Sequence, residues 1–407
     1  MCCLKKMRHY IGKRAAFQAA AAAAAFCRYT ACCRRSESLS GCLQLEKHTM
    51  NQPFSSLLMM CGGGMRFGAY LGAYAALCER GRRPDALLAS CGGGFAALTV
   101  ALAPQPEDAR RLLCSPAMHR VLMLARASSA PRRQTLFQAA YRWYLYRSPQ
   151  RLARYLAAEG FDYLADELAR LALFALADGA NAHNWLDPLF QAAGGIRADA
   201  PALLISAARL ENENGRPRLR QLLFAPSAQA PLPAVPDCAT AALSPRIAAA
   251  VEIRPLQDWQ AALYATISDM YYLAPLPAPE GGVYLGGVID LLPIEQAAAL
   301  AGTVYAEHKP PYGRALALPA IARVLGFDAE ARRRQAAAFA APAGRILRLP
   351  FADIRTALRG HCPSRRFNLR SGRIEPQAVP YAAFAAQMAA QWDYGYRRAQ
   401  QMLEQAA

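Results

Sequence analysis

Two glycine-rich turns contain the residue types whose chemistry can be read most directly. The first, Gly62-Gly63-Gly64, follows the apolar run 57–60, and the second, Cys91-Gly92-Gly93-Gly94, follows the apolar run 86–88. A nucleophile on a strained strand-to-helix turn needs small neighbours. Cys91 is therefore a candidate catalytic nucleophile.

Backbone amides at such turns could hold the oxyanion that forms when a nucleophile attacks an acyl carbonyl. The candidates are Gly62, Gly63, Gly64 and Gly92, and they would equally suit a phosphate or a carboxylate. A helix beginning after Cys91 is predicted to lower the pKa of its thiol. In the alternative interpretation, the turns only allow close packing of strand on helix, and Cys91 is a small buried apolar residue.

The elements that must position these residues alternate along the chain, which is typical of a parallel sheet with helical crossovers. Strands are predicted over 57–60, 86–90, 202–208, 219–224 and 344–349, and extended segments over 283–285 and 288–289. Helices are predicted over 65–80, 93–103, 257–271 and 381–404, the last of them interrupted at Gly395. Residues 106–178 show helical periodicity without strand signals. They predict a helical insertion at about 106–180 in a domain covering 50–407.

Composition limits the classes of partner and site. The 407-residue chain has a net charge of +18, which favours an anionic partner such as a phospholipid surface, an acidic protein or nucleic acid. No nucleic-acid motif accompanies the charge, so no nucleic acid is expected. The twelve cysteines include no C-x-x-C pair, so neither a metal nor another cofactor is predicted. Scattered thiols fit a reducing cytoplasm.

Residues 1–49 differ from the rest of the chain, since they hold nine Lys or Arg residues, six cysteines and four of the five lysines. A charged start before an alanine-rich stretch is one feature of a targeting peptide. We instead expect an over-extended start, with Met50 as the true first residue.

A basic aromatic stretch lies inside the predicted insertion. Residues 132–155 interleave six arginines with six aromatic residues. A basic amphipathic helix with aromatic side chains suits a membrane surface, which predicts peripheral membrane contact through 132–155. Alternatively, the arginine stems lie along a solvated helix and the aromatic rings join the core.

The order of these pieces resembles the patatin-like phospholipase family. Gly62-Gly63-Gly64-Met65-Arg66 is similar to the Gly-Gly-Gly-x-Arg-Gly segment that opens the family's domain, with Phe67 in place of the last glycine. Ala89-Ser90-Cys91-Gly92-Gly93 is similar to the Gly-x-Ser-x-Gly elbow. Residues 284–294 resemble the segment that supplies the aspartate of a Ser–Asp dyad, and Leu285 stands at the aspartate position. Further similarity covers 187–189, 203–215, 265–275 and 395–396.

The resemblance implies a three-layer α/β/α sandwich with a mostly parallel central sheet. It also implies hydrolysis of a phospholipid or another acyl ester, by a bacterial protein that is cytoplasmic or peripheral to a membrane. Because Cys91 and Leu285 replace both dyad residues, activity is predicted to be impaired or altered. Three alternatives stay open: a cysteine-dependent acyl hydrolase or acyltransferase, a non-catalytic lipid- or acyl-binding or regulatory protein, and a shifted site that uses Ser90 with Asp290. The sequence identifies no base for Cys91.

Overall fold

The computed structural model describes residues 52–127, 132–176, 184–226, 232, 235–341, 345–363, 365–368 and 373–406. These residues belong to one compact unit that begins at Gln52. The extension predicted over residues 1–49 lies outside the described residues, so the interpretation of Met50 as the first residue stays a prediction.

Strands and helices alternate along the described chain. The strands are β1 Phe54–Cys61, β2 Ala86–Ser90, β3 Ala125–Ala127, β4 Phe174–Leu176, β5 Ala202–Glu213, β6 Arg216–Ala225, β7 Glu252–Pro255, β8 Val283–Tyr284, β9 Ala301–Glu307, β10 Arg345–Leu349, β11 Arg365–Asn368 and β12 Arg373–Pro376. The helices are α1 Gly68–Glu79, α2 Gly93–Leu102, α3 Pro106–Leu113, α4 Pro116–Leu122, α5 Arg132–Tyr146, α6 Pro149–Ala158, α7 Phe161–Arg170, α8 Asp187–Ala193, α9 Trp259–Ile267, α10 Ile294–Leu300, α11 Ala317–Leu325, α12 Ala329–Ala338, α13 Ile354–Ala357 and α14 Tyr381–Gln405.

The central sheet has the strand order β10-β9-β1-β2-β5-β6-β7, and β8 also pairs with β5. Strands β10, β9, β1, β2 and β5 run parallel, whereas β6 and β8 are antiparallel to β5. The predicted fold class, a mostly parallel sheet flanked by helices, is confirmed.

Both faces of the central strands are buried, which explains their continuous apolar runs. Side chains alternate along a strand. In β1, Leu58 and Met60 therefore pack into the core that also contains residues of α1, α2 and α14. Leu57 and Met59 pack into a second core, to which α10 contributes.

Helix α14 crosses α1 at two glycines. A Cβ atom at Gly395 would lie 1.8 Å from the carbonyl oxygen of Ala69, and one at Gly72 would lie 1.9 Å from that of Trp392. The sequence predicted an interruption of the terminal helix at Gly395, and that prediction was wrong. The helix is continuous, and the glycine allows its backbone to approach α1.

The segment predicted as a purely helical insertion contains α3 to α7 and also two short strands. Strands β3 and β4 pair antiparallel, and three residues are too few to show an alternating pattern. The Phe174 amide donates to the Tyr272 carbonyl at 2.9 Å, and the Ala274 amide donates to the Phe174 carbonyl at 3.0 Å. Strand β4 thus holds the loop that follows α9.

Candidate active site

Three neighbouring strands end at one edge of the sheet. The glycine turn Gly62–Gly64 follows β1, Cys91 follows β2, and Lys309 lies two residues after β9. Because β9, β1 and β2 are adjacent and parallel, their carboxyl ends bring these residues together. In open α/β sheets this edge is where ligands bind.

Cys91 adopts the backbone conformation of a nucleophile elbow. Its φ is 51°, in the left-handed region that few residues other than glycine enter. Its amide donates to Thr266 Oγ1 at 2.9 Å. A Cβ atom at Gly93 would lie only 1.5 Å from the Met60 carbonyl oxygen. The small residue after the elbow is therefore a steric requirement of its packing on β1.

The carboxylate that faces Cys91 belongs to Asp269. The Cys91 thiol donates a hydrogen bond to Asp269 Oδ2, with 2.9 Å between sulfur and oxygen. Asp269 lies two residues beyond α9, and its carbonyl accepts from the Tyr272 amide at 2.9 Å. Sequence reasoning missed this residue, although Asp269 is the only acidic residue of the family-like segment 265–275.

Leu285, at the position where the resemblance places an aspartate, is 1% exposed and belongs to the apolar core. The two glycines after it remain next to the site. A Cβ atom at Gly286, whose φ is 39°, would lie 2.4 Å from Asp269 Oδ1, and one at Gly287 would lie 2.5 Å from Ser90 Cβ. The segment therefore forms a wall of the site, while the carboxylate comes from another part of the chain.

The predicted lowering of the Cys91 pKa was wrong. Burial raises the pKa of the thiol well above its ordinary value, and the negative charge of Asp269 and its hydrogen bond raise it further. The Gly92 amide and the Lys309 cation act in the opposite direction but are weaker. Near neutral pH, Cys91 is consequently a thiol that donates to a carboxylate, the arrangement of a nucleophile and its general base.

Three of the four predicted oxyanion amides remain candidates. The Gly62 amide donates to the Ser90 carbonyl at 2.8 Å and is therefore already engaged. Gly63 and Gly64 have φ values of 79° and 54°, and their amides have no acceptor within the described part of the chain. Gly92 packs on this turn, since a Cβ atom there would lie 2.2 Å from the Gly64 carbonyl oxygen.

The shifted catalytic site, in which Ser90 would act with Asp290, does not match the positions of these two side chains. The Asp290 carboxylate accepts from Arg332 at 2.8 Å and from the Leu292 amide at 3.0 Å. Ser90 Oγ is buried and has no hydrogen-bond partner among the described residues. The two side chains therefore do not form a dyad.

Helix α5, from the basic aromatic stretch, presents two different faces. Its inner face contributes Leu145 and Arg142, and the Arg142 guanidinium lies 3.9 Å from the ring centre of Tyr271, two residues from Asp269. Its outer face, continued by Arg147 directly after the helix, exposes residues at helical spacing: Arg133, Leu136, Phe137, Ala140, Trp143, Tyr144 and Arg147. The outer face is an apolar stripe with an arginine at each end, which we call the α5 stripe.

No helix of the described residues is both long enough and apolar enough to cross a bilayer. Within the same part of the chain, no group of three or more His, Cys, Asp or Glu side chains could hold a metal ion.

Comparison with known proteins gives one family match. Residues 58–244 match the family model described as patatin-like phospholipase, a segment that contains both glycine turns and ends before Asp269. No curated protein matches the chain. Among solved structures, the crystal structure of VipD from Legionella pneumophila matches with a TM-score of 0.37 and 11% identity, covering 86% of this chain and 67% of the VipD chain.

Proposed function

Because the chain carries a patatin-like phospholipase domain over residues 58–244, we propose that it hydrolyses lipid acyl esters with Cys91 as nucleophile and Asp269 as general base. The observation that carries this proposal is the 2.9 Å contact between Cys91 Sγ and Asp269 Oδ2 at the elbow. The match to the patatin-like phospholipase model supports the lipid substrate class. The roles of Cys91 and Asp269 rest on this chain's own geometry.

In the proposed reaction, Asp269 accepts the thiol proton while the Cys91 sulfur attacks the acyl carbonyl carbon. The amides of Gly63, Gly64 and Gly92 hold the oxyanion that forms. When the tetrahedral intermediate collapses, the ester C–O bond breaks, and Asp269 returns the proton to the departing alcohol. Asp269 then deprotonates a water molecule that attacks the thioester, and the sulfur leaves and is reprotonated.

A non-catalytic lipid- or acyl-binding protein is the second candidate. One observation favours it: a thiol with a raised pKa contains little thiolate at neutral pH, and the thiolate is the stronger nucleophile. The same glycine cradle would then bind an acyl ester without turnover.

Replacement of the nucleophile distinguishes the two candidates. We expect Cys91→Ala to reduce hydrolysis of short-chain and phospholipid esters on the order of 10³-fold or more and to remove the acyl-enzyme thioester detected on the Cys91 peptide by mass spectrometry. Cys362→Ala, which removes another partly exposed thiol, is the matched control. Hydrolysis that survives Cys91→Ala would exclude Cys91 as nucleophile. Ester binding without any turnover by the unmodified protein would favour the second candidate.

We further propose that the domain meets its lipid at an anionic bilayer surface through residues 132–155. The α5 stripe exposes Phe137 by 68% and Leu136 by 55%. Residues 132–158 contain six arginines and no acidic residue, and Arg151 of α6 stacks over the Tyr144 ring, 4.7 Å from its centre. Exposed apolar side chains next to arginines that no carboxylate of the described residues pairs with suit a headgroup region with anionic lipids.

Vesicle sedimentation tests this surface contact. We expect Arg133→Gln/Arg147→Gln to weaken binding to phosphatidylserine-containing vesicles about tenfold or more, because each basic residue near such a surface contributes roughly 1 kcal/mol. Arg355→Gln/Arg359→Gln, which removes two exposed arginines elsewhere, serves as the control with equal charge. Equal binding to purely zwitterionic vesicles, or equal losses in both double variants, would argue against the α5 stripe.

A further inference from the structure

We propose that Lys309 is a positioning residue of the site: its buried ammonium group fixes the Gly62–Gly64 turn and places positive charge behind the oxyanion amides and Cys91. This inference rests on the proposed function, since it concerns the same site. Neither the family match, which ends at residue 244, nor the sequence assigned any role to Lys309.

The contacts of Lys309 join two neighbouring strand ends. Its ammonium group donates to the carbonyl oxygen of Cys61, the residue directly before the glycine turn, and to Glu307, the last residue of β9. Its side chain is 8% exposed and that of Glu307 is 3% exposed. A buried charge persists only when it is paired. The pair is therefore held in one place at the base of the turn.

The glycine turn rests directly on this cluster. A Cβ atom at Gly62 would lie 3.1 Å from Lys309 Nζ, and one at Gly63 would lie 3.1 Å from the Tyr70 ring. The Tyr70 hydroxyl donates to Glu307 at 2.6 Å. Lys309, Glu307 and Tyr70 thus form the surface against which the two glycines pack, and that surface determines where the amides of Gly63 and Gly64 point.

The choice of lysine is unusual for this chain. Lys309 is the only lysine beyond residue 50, although the chain contains 47 Lys and Arg residues. An ammonium group is a compact point charge with three donors, whereas a guanidinium is a broad planar fork. The Lys309 nitrogen donates to both the Cys61 carbonyl and Glu307, which suits a single compact charge.

The charge of Lys309 reaches both thiols at this edge of the sheet. It lowers the pKa of Cys91 and that of Cys61, although burial raises both overall. Glu307 acts in the opposite direction on Cys61. The other titratable groups that face Cys91 are Asp269 and Tyr70. A positive charge that stabilises a thiolate would also stabilise an oxyanion forming at the adjacent amides.

The test measures alkylation of Cys91 by iodoacetamide against pH, resolved by peptide mass spectrometry, because this readout does not require ester hydrolysis. We expect Lys309→Met to move the midpoint of the profile upward by at least about half a pH unit, roughly a threefold loss of rate below the midpoint. We expect Glu307→Gln, which leaves the cation without its partner, to move the midpoint downward. For ester hydrolysis, Lys309→Met should lower kcat with little change in KM.

Midpoint shifts of opposite sign in the two variants distinguish an effect of charge from an effect of packing. A structural disturbance would change the alkylation of Cys91 in the same direction in both variants. Arg398→Met, which removes the charge of a partly exposed pair with Asp353, is the control and should leave the profile unchanged. If Lys309→Met does not fold, Lys309→Met/Glu307→Gln removes both buried charges. Its midpoint should lie above that of Glu307→Gln, because these two variants differ only in the Lys309 cation. Midpoints that move together, or not at all, overturn the proposal. Opposite shifts in a protein that hydrolyses no ester would retain the role of Lys309 and reject the proposed function.

Discussion

Asp269→Asn is expected to lower kcat for acyl-ester hydrolysis by about 10²–10⁴-fold, the usual contribution of a positioned general base. The amide keeps the shape of the side chain but cannot accept the thiol proton as the sulfur attacks. Because the negative charge of Asp269 raises the pKa of Cys91, the same variant should shift iodoacetamide alkylation of Cys91 to lower pH. A lower kcat together with a lower pKa of the Cys91 thiol is therefore the result expected if Cys91 and Asp269 act as a dyad.

The control for Asp269→Asn is Asp166→Asn, which makes the same change in an exposed pair with Arg170. It should leave kcat and the alkylation profile unchanged. If Asp269→Asn retains kcat within about threefold of the unmodified protein, Asp269 is not the base. Hydrolysis through Cys91 would then need another group or solvent to take the proton.

Arg323→Met is expected to lower the free energy of unfolding by about 3–5 kcal/mol, because buried Glu167 loses its arginine and buried Glu159 keeps only Arg246. Arg323 donates to Glu159 and, at 2.8 Å, to Glu167, and all three side chains are 1% exposed. The Tyr271 hydroxyl donates to Glu167. The cluster thereby joins α11 and the insertion to the loop that carries Asp269.

Denaturant titration followed by far-UV circular dichroism measures this effect. Arg170→Met removes an arginine from a solvent-exposed pair and should cost less than about 1 kcal/mol. A loss below about 1.5 kcal/mol in Arg323→Met would mean that the buried carboxylates become protonated or hydrated at little cost. In that case the cluster would not stabilise the insertion.

The elbow could be predicted from the sequence because its constraints are local. Cys91 needs small residues after it and a strand before it, and both are visible within ten residues. The same applies to the glycine turn after β1. The predicted role of Gly62 as an oxyanion donor is the exception. Its amide donates to the Ser90 carbonyl, and this contact forms only because β1 and β2 end side by side.

Several elements could not be predicted from the sequence, because the contacts that determine them are with distant parts of the chain. Strand β9 contains a glycine and only a short apolar run, and it is a strand because it pairs with β1 on one side and β10 on the other. Helix α9 was predicted over 257–271 but ends at Ile267. The loop after it enters a left-handed conformation at Tyr271, with φ of 60°, and is held by β4.

The sequence by itself determined the family-like order of strands and helices, the turn that exposes a nucleophile, and the presence of a cysteine there. Only the tertiary structure decided what surrounds that cysteine. Asp269 is 178 residues away from Cys91 along the chain, and Lys309 is 248 residues away from Cys61. Spacing cannot predict such pairs, because the loop after α9 and the carboxyl ends of β1, β2 and β9 come together only when the sheet and its helices fold. The sequence places Leu285 where the resemblance expects the aspartate, whereas the folded chain brings a carboxylate from a different loop to the Cys91 thiol.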